Sequence, residues 1–255
     1  MSTDGNYGWW LPVQASSYAQ TIDTGINVIQ FAMLLMFVLW GIFFTWCLIR
    51  FRARAARRAV YKEPAHWKSW IPDGLVLAFE ILLIALYGIP VWSRIMQTLP
   101  NEKDANVVRV VAEQFAWNVH YPGPDGQFGN TELSLISKSN RLGLDRTDPK
   151  GKDDVVLWNQ MFLPLGKPTI LHLTSKDVIH SFFVPAFRMK QDAVPGLVIQ
   201  RWVEPTRVGK YEIGCAQLCG LGHYKMRGDV FVQTQEEFDR WLVEKSREQR
   251  EEREE

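Results

Sequence analysis

Net charge is almost absent from this chain. Its 255 residues carry 29 Lys and Arg against 28 Asp and Glu, a formal balance of +1, so no basic field exists to draw in nucleic acid. Cysteine is scarce too, with three in all. Cys47 lies inside an apolar run and reads as a small buried hydrophobe, which leaves Cys215 and Cys219 as the informative pair. No Cys-x-x-Cys-His segment occurs, so no covalent haem domain is fused here, and no internal repeat is found. Residues 1–25 lack the basic n-region and small-residue cleavage site of a signal peptide, and are expected to stay in the mature chain as a polar outer-face segment. Tryptophan, by contrast, is plentiful, with eleven residues. Many fall near the ends of apolar runs, where a membrane interface holds them, and Trp9 and Trp10 are expected at such a surface.

Two long apolar runs are present. Residues 26–49 are interrupted by little beyond Asn27, Gln30 and Thr45, and they exceed the ~20 residues that cross a bilayer. Arg50, Arg52, Arg54, Arg57, Arg58, Lys62 and Lys68 follow, a pattern that keeps a loop in the cytoplasm. The second run covers residues 74–96, with Asp73 at its start, Glu80 within it and Pro90 expected to kink or end it. Residues 26–100 therefore form an antiparallel transmembrane hairpin, with the N-terminus and everything after about residue 100 on the outer face. Glu80 is costly in lipid, so it serves a function or pairs with a polar group of a neighbouring subunit; both readings require a membrane partner. The ordinary role for Asp73 is a helix N-cap.

Residues 101–235 change character. Short β-rich runs at 107–112, 115–121, 155–158, 169–174, 181–184, 197–203, 209–214 and 228–234 are separated by turn signals such as PGPDG at 122–126, a spacing that indicates a sandwich or barrel. Residues 137–153 read as a surface loop. The stretch 236–255 reads as a charged helix or tail carrying a short apolar stripe of Phe238, Trp241 and Leu242.

Chemistry concentrates at residues 215–226, CAQLCGLGHYKM. Two thiols, an imidazole and a thioether in so short a loop suit a soft or borderline metal. A Cys215–Cys219 disulfide is compatible with an oxidising outer face, but it leaves His223 and Met226 unused. Zinc, with His180 as a fourth ligand, leaves Met226 unused. A single blue copper leaves one thiolate over. Two thiolates bridging two coppers use every donor, provided a second histidine and a carbonyl join. His180, at the end of a strand, is the best candidate for that histidine. His66 lies on the cytoplasmic side, and His120 and His172 lie within strands.

The loop, together with the segments FLPLGKP at 162–168, LTSKDVIHS at 173–181 and KQDAVPG at 190–196, resembles subunit II of the cytochrome c oxidases, within the haem-copper oxidase superfamily. The likeness spans about residues 26–234. It implies a cupredoxin domain after the hairpin, an α+β membrane protein overall, and a binuclear copper centre of the kind called CuA. Cys215 and Cys219 would bridge, His180 and His223 would each hold one copper, and Met226 and the Gln217 carbonyl would be weak axial ligands. Haem would reside only in partner subunit I, which receives electrons that this subunit takes from a cytochrome c or other c-type donor. Further membrane subunits, proton pumping and a bacterial plasma membrane location with the copper domain outside are implied as well.

Three positions depart from the family pattern. A Glu that also binds magnesium usually stands between the cysteines; Gln217 keeps the carbonyl but lacks the carboxylate, which weighs against magnesium. The segment Gln-Trp-x-Trp, where electrons come in, reads Gln114-Phe115-Ala116-Trp117, so Phe115 and Trp117 are candidates for that path, with Phe115 as a packing aromatic beneath the loop the alternative. A Glu at the mouth of a proton channel corresponds to Asp73, and Glu80 is a second proton-path candidate. Asp125, Glu132, Asp153, Asp154 and Asp177 offer acids for a basic donor, whereas the loop itself carries Lys225 and Arg227. A haem-copper nitric oxide reductase subunit and a membrane-anchored copper-delivery protein are the alternative functions.

Overall fold

A computed structural model describes residues 10–53, 66–145 and 147–254, in two compact units, one of residues 21–97 and the other of the remainder. Trp9 and the loop cations Arg54, Arg57, Arg58 and Lys62 lie outside the described residues.

In the first unit, α1 (Ala19–Arg50) has 32 residues, about 48 Å at the usual rise and more than the ~30 Å hydrocarbon core. The second span is made of α2 (His66–Leu83), a π-helical segment Ile84–Gly88 and α3 (Ile89–Met96). Both spans are long and apolar enough to cross a membrane. Pro90 does not end the helix. Proline lacks an N–H and its ring crowds the carbonyl four residues back. The wider turn just before it, where the Ile89 N–H reaches back to the Ile84 carbonyl, absorbs that mismatch. Asp73 is not an N-cap, because α2 starts at His66 and Asp73 lies inside it. The apolar window marks the lipid-immersed part of a helix, and the interfacial turn with Trp67, Lys68 and Trp70 extends the helix beyond it. Asp73 and Glu80 line one open groove of 820 Å³ with Met36, Leu39, Trp40 and Phe43 of α1. Tyr87 ties the other end of the hairpin, its hydroxyl donating to the Thr21 carbonyl and its ring packing on Gly25.

The second unit is a sandwich of two five-stranded sheets, β3-β2-β1-β5-β8 and β4-β10-β9-β6-β7. Its strands are β1 (Asn106–Glu113), β2 (Ala116–Tyr121), β3 (Val155–Trp158), β4 (Gln160–Pro164), β5 (Thr169–Ser175), β6 (His180–Val184), β7 (Met189–Ala193), β8 (Ile199–Val203), β9 (Gly209–Cys215) and β10 (Arg227–Gln233). Parallel pairing of β1 with β5 and of β10 with β4 closes a Greek-key cupredoxin topology. Trp117, Tyr121, Phe182, Phe187, Leu163, Leu171, Leu173 and Ile213 are buried between the sheets. α4 (Gln235–Glu254) seals one end: Phe238 is buried, and Trp241 stacks on Phe162 at 4.3 Å and meets Tyr121 edge-on at 5.3 Å.

Two strands went unrecognised. β4 follows β3 after one residue, Asn159, which takes a left-handed φ of 56°, so no loop composition announces it. β7, MKQDA, is polar and is an edge strand, paired with β6 alone among the described strands. The N-terminal stretch also docks on this unit. Ala15 N–H donates to the Ala186 carbonyl at 2.9 Å, the Thr206 N–H donates to Ala15 at 3.0 Å, and Arg188 holds the Pro12 carbonyl at 2.6 Å.

Candidate metal centre

Three strand ends build the site. Along β9, Tyr211 and Ile213 face the core, and the two-residue period of a strand carries Cys215 to the same side. In β6 the inward set is His180, Phe182 and Val184. The two strands are neighbours, with Phe182 opposite Cys215. The loop after Cys215 must return to β10, which runs antiparallel to β9 from Arg227. That turn brings Cys219, His223 and Met226 back over the strand ends.

All the expected donors meet. The ligating atoms of His180, Cys215 and Cys219 lie within 4.8 Å of one another. The two sulfurs are 3.8 Å apart. His223 Nδ1 is 3.6 Å from Cys219 Sγ, and Met226 Sδ is 3.8 Å from Cys219 Sγ and 3.2 Å from His180 Nδ1. The Gln217 carbonyl accepts from the Cys215 thiol at 3.2 Å, while the Gln217 residue is otherwise exposed. His180, Cys219 and Met226 are buried.

Electrostatics separate the two thiols. Burial alone would raise Cys215, but hydrogen bonds from His180, from backbone N–H groups and from His223 outweigh it and bring the thiol down to about 6. Cys219 is pushed up to about 11 by burial and by the neighbouring Cys215 charge. Two thiolates this close repel each other. A soft cation among them removes that repulsion and suits sulfur and imidazole donors. The donor set therefore fits copper.

Asp177, three residues before His180, was not assigned as an orienting group from the sequence, although its spacing allows the contact. Its Oδ1 accepts from His180 Nε2 at 2.9 Å, so Nδ1 is left facing Cys215 and Met226. An outer carboxylate of this kind fixes a ligand histidine's tautomer. Burial would lower His180, but Cys215 and Asp177 raise it above its ordinary value. Trp117 is fully buried, its ring edge-on to Phe182 at 5.3 Å and 6.1 Å from His180. No incoming protein can touch it directly. Phe115 lies half-buried under the loop, its ring where side chains on Gly220 or Gly222 would be.

Asp73 and Glu80 belong to the helical unit described above. Among the acids considered for donor docking, Asp154 is fully buried and paired with His120 at 2.6 Å, so it offers nothing to a partner. Lys225 and Arg227 are exposed.

Residues 107–233 match the family model described as cytochrome C oxidase subunit II, periplasmic domain. The chain is 37% identical over 236 residues to the alternative cytochrome c oxidase subunit 2 of Bradyrhizobium diazoefficiens, covering 92% of this chain and 83% of that protein. It is 27% identical over 266 residues to cytochrome c oxidase subunit 2 of Thermostichus vulcanus, covering 93% and 79%. With that of Cereibacter sphaeroides it shares 29% over 233 residues, covering 87% and 74%.

Proposed function

The chain belongs to the cytochrome c oxidase subunit II family, and from that premise we propose that its buried cysteine–histidine cluster is a two-copper electron-transfer centre. It is a membrane-anchored subunit of a haem-copper oxidase, an oxidoreductase whose oxygen-reducing site lies in another subunit. The subunit takes single electrons from a c-type cytochrome and hands them to haem in subunit I. The nitric oxide reductase and copper-delivery alternatives are not favoured, since the relatives are cytochrome c oxidase subunits.

Cys215 and Cys219 would hold the coppers through their thiolates, His180 and His223 through one imidazole nitrogen each, Met226 through its thioether and Gln217 through its carbonyl. When bound, the copper pair supplies a one-electron carrier. The protein holds the donors still around it. Asp177 fixes the His180 ring, and Trp117 and Phe182 wall the inner side against water. The neutral Gln217 amide is not expected to hold magnesium. Phe115 and Trp117 remain candidates for the inward electron path, Phe115 at the loop and Trp117 only as an inner relay. Asp73 and Glu80 are proposed for proton movement through the shared groove. A bacterial plasma membrane, with the copper domain on its outer face, accommodates these roles.

The observation that carries this reading is the convergence of two thiols at 3.8 Å with both imidazoles and the thioether. Rapid mixing of reduced cytochrome c with the purified oxidase complex tests it. A Cys219→Ser complex with unchanged haem content should oxidise the donor only at background rate. Wild-type rates in that variant would refute the proposal.

A further inference from the structure

We propose that Gln114 is a positioning residue that braces the histidine arm and the cysteine arm of the cluster against each other before metal binds. The proposal rests on reading the cluster as a metal site. Gln114 stands in the turn between β1 and β2, on the sheet opposite the one that carries the cluster. It lies at the surface and bonds in two directions. Its backbone N–H donates to Asp177 Oδ2 at 2.7 Å, and the other oxygen of that carboxylate accepts from His180 Nε2 at 2.9 Å. Its side-chain Nε2 donates to the Cys219 carbonyl at 2.6 Å.

Each bond acts on a different degree of freedom. The Gln114 N–H on Oδ2, with the Val178 N–H on Oδ1 at 2.7 Å, keeps the Asp177 carboxylate from turning away from the His180 ring. Such charge-assisted bonds are the stronger kind. Holding the Cys219 carbonyl fixes the backbone from which its sulfur projects. The β1–β2 ladder ends at Glu113 and Ala116, so neither bond serves the sheet. The next residue, Phe115, lies against Gly220 and Gly222, which keeps the turn and the cysteine loop in contact and the brace short. One residue from the opposite sheet thus links the segment before β6 to the loop after β9.

The test uses the full chain purified in detergent, with copper affinity measured by competition against a copper chelator and the unfolding midpoint measured without metal. Gln114→Glu keeps the side chain's size and loses its donor; Gln114→Lys keeps a donor of similar reach. Loss of an outer-shell partner costs about 10–100-fold in metal affinity, and that loss is expected for Gln114→Glu, with most of it restored in Gln114→Lys. The metal-free midpoints should stay alike. Copper affinity of Gln114→Glu within about twofold of wild type would overturn the proposal. So would a Lys variant no better than the Glu variant, or a metal-free midpoint that falls in step with affinity, which marks a general structural role. A wild-type chain that binds no copper refutes the metal-site reading itself, before the variants are compared.

Discussion

Replacing Gly222 by alanine would place a methyl group 2.3 Å from Cδ2 of Phe115, 2.6 Å from Cγ and 2.7 Å from Cε2. Ordinary carbon contacts begin near 3.5 Å, so ring and loop must part by about 1 Å. The atoms met include the ring's own attachment carbon, and the ring packs against the core, so a small rotation does not relieve the clash. Overpacking of this kind costs about 1–3 kcal/mol. Gly222 directly precedes His223, whose Nδ1 lies 3.6 Å from Cys219 Sγ, so the displacement falls on a ligand. If the whole cost appears in the bound state, copper affinity drops by up to ~100-fold. Chelator competition on the detergent-solubilised chain measures it. Adding Phe115→Ala removes the ring and should recover much of the loss, a non-additivity expected of groups in contact. Wild-type affinity in Gly222→Ala, or a double variant no better than the single one, would show that the loop does not rest on Phe115.

His120→Ala should destabilise the β-domain by about 1.5–3 kcal/mol, because the buried Asp154 carboxylate loses its 2.6 Å contact with the imidazole while keeping the Gly129 N–H, and urea unfolding followed by tryptophan fluorescence reads the change; a loss below about 0.5 kcal/mol contradicts a stabilising contact. Glu113 gives a pH signature. Burial alone would raise it, but hydrogen bonds from Lys176 first, then Asn118 and Arg141, hold it below its ordinary value. A depressed carboxylate stabilises the fold above its unfolded pKa, and that contribution is lost as pH falls through the folded value. Wild type should therefore unfold at higher urea than Glu113→Gln at neutral pH, with the two curves meeting below about pH 4; a gap independent of pH contradicts this. Asp73→Asn in the assembled oxidase should slow oxygen consumption if Asp73 lies on the proton path, and normal turnover dismisses that role.

The hairpin and the ligand loop were legible because each obeys a local rule. Twenty or so apolar residues followed by arginines specify a span, and a thiol, imidazole and thioether within residues 215–226 have few other uses. His180 was found by its place at a strand end. What stayed hidden depends on contacts between distant segments. Asn159 turns the chain in one residue, so no loop composition separated β4 from the end of β3 and β4 was not read as a strand. The segment around Ala15 joins the β-domain through main-chain bonds to Ala186 and Thr206, which any sequence can make. Gln114 and Asp177 look like ordinary polar surface residues until the sandwich brings them beside Cys219 and His180. Asp73 misled because the helix continues through an interfacial turn that no apolar window includes.

Copper counted against protein in the purified full chain, by atomic absorption, tests the two-copper centre most directly. Two coppers per chain are expected, both lost together in Cys215→Ser and in Cys219→Ser, since the proposed centre would need both thiolates. One copper per chain, or zinc in its place, would contradict it.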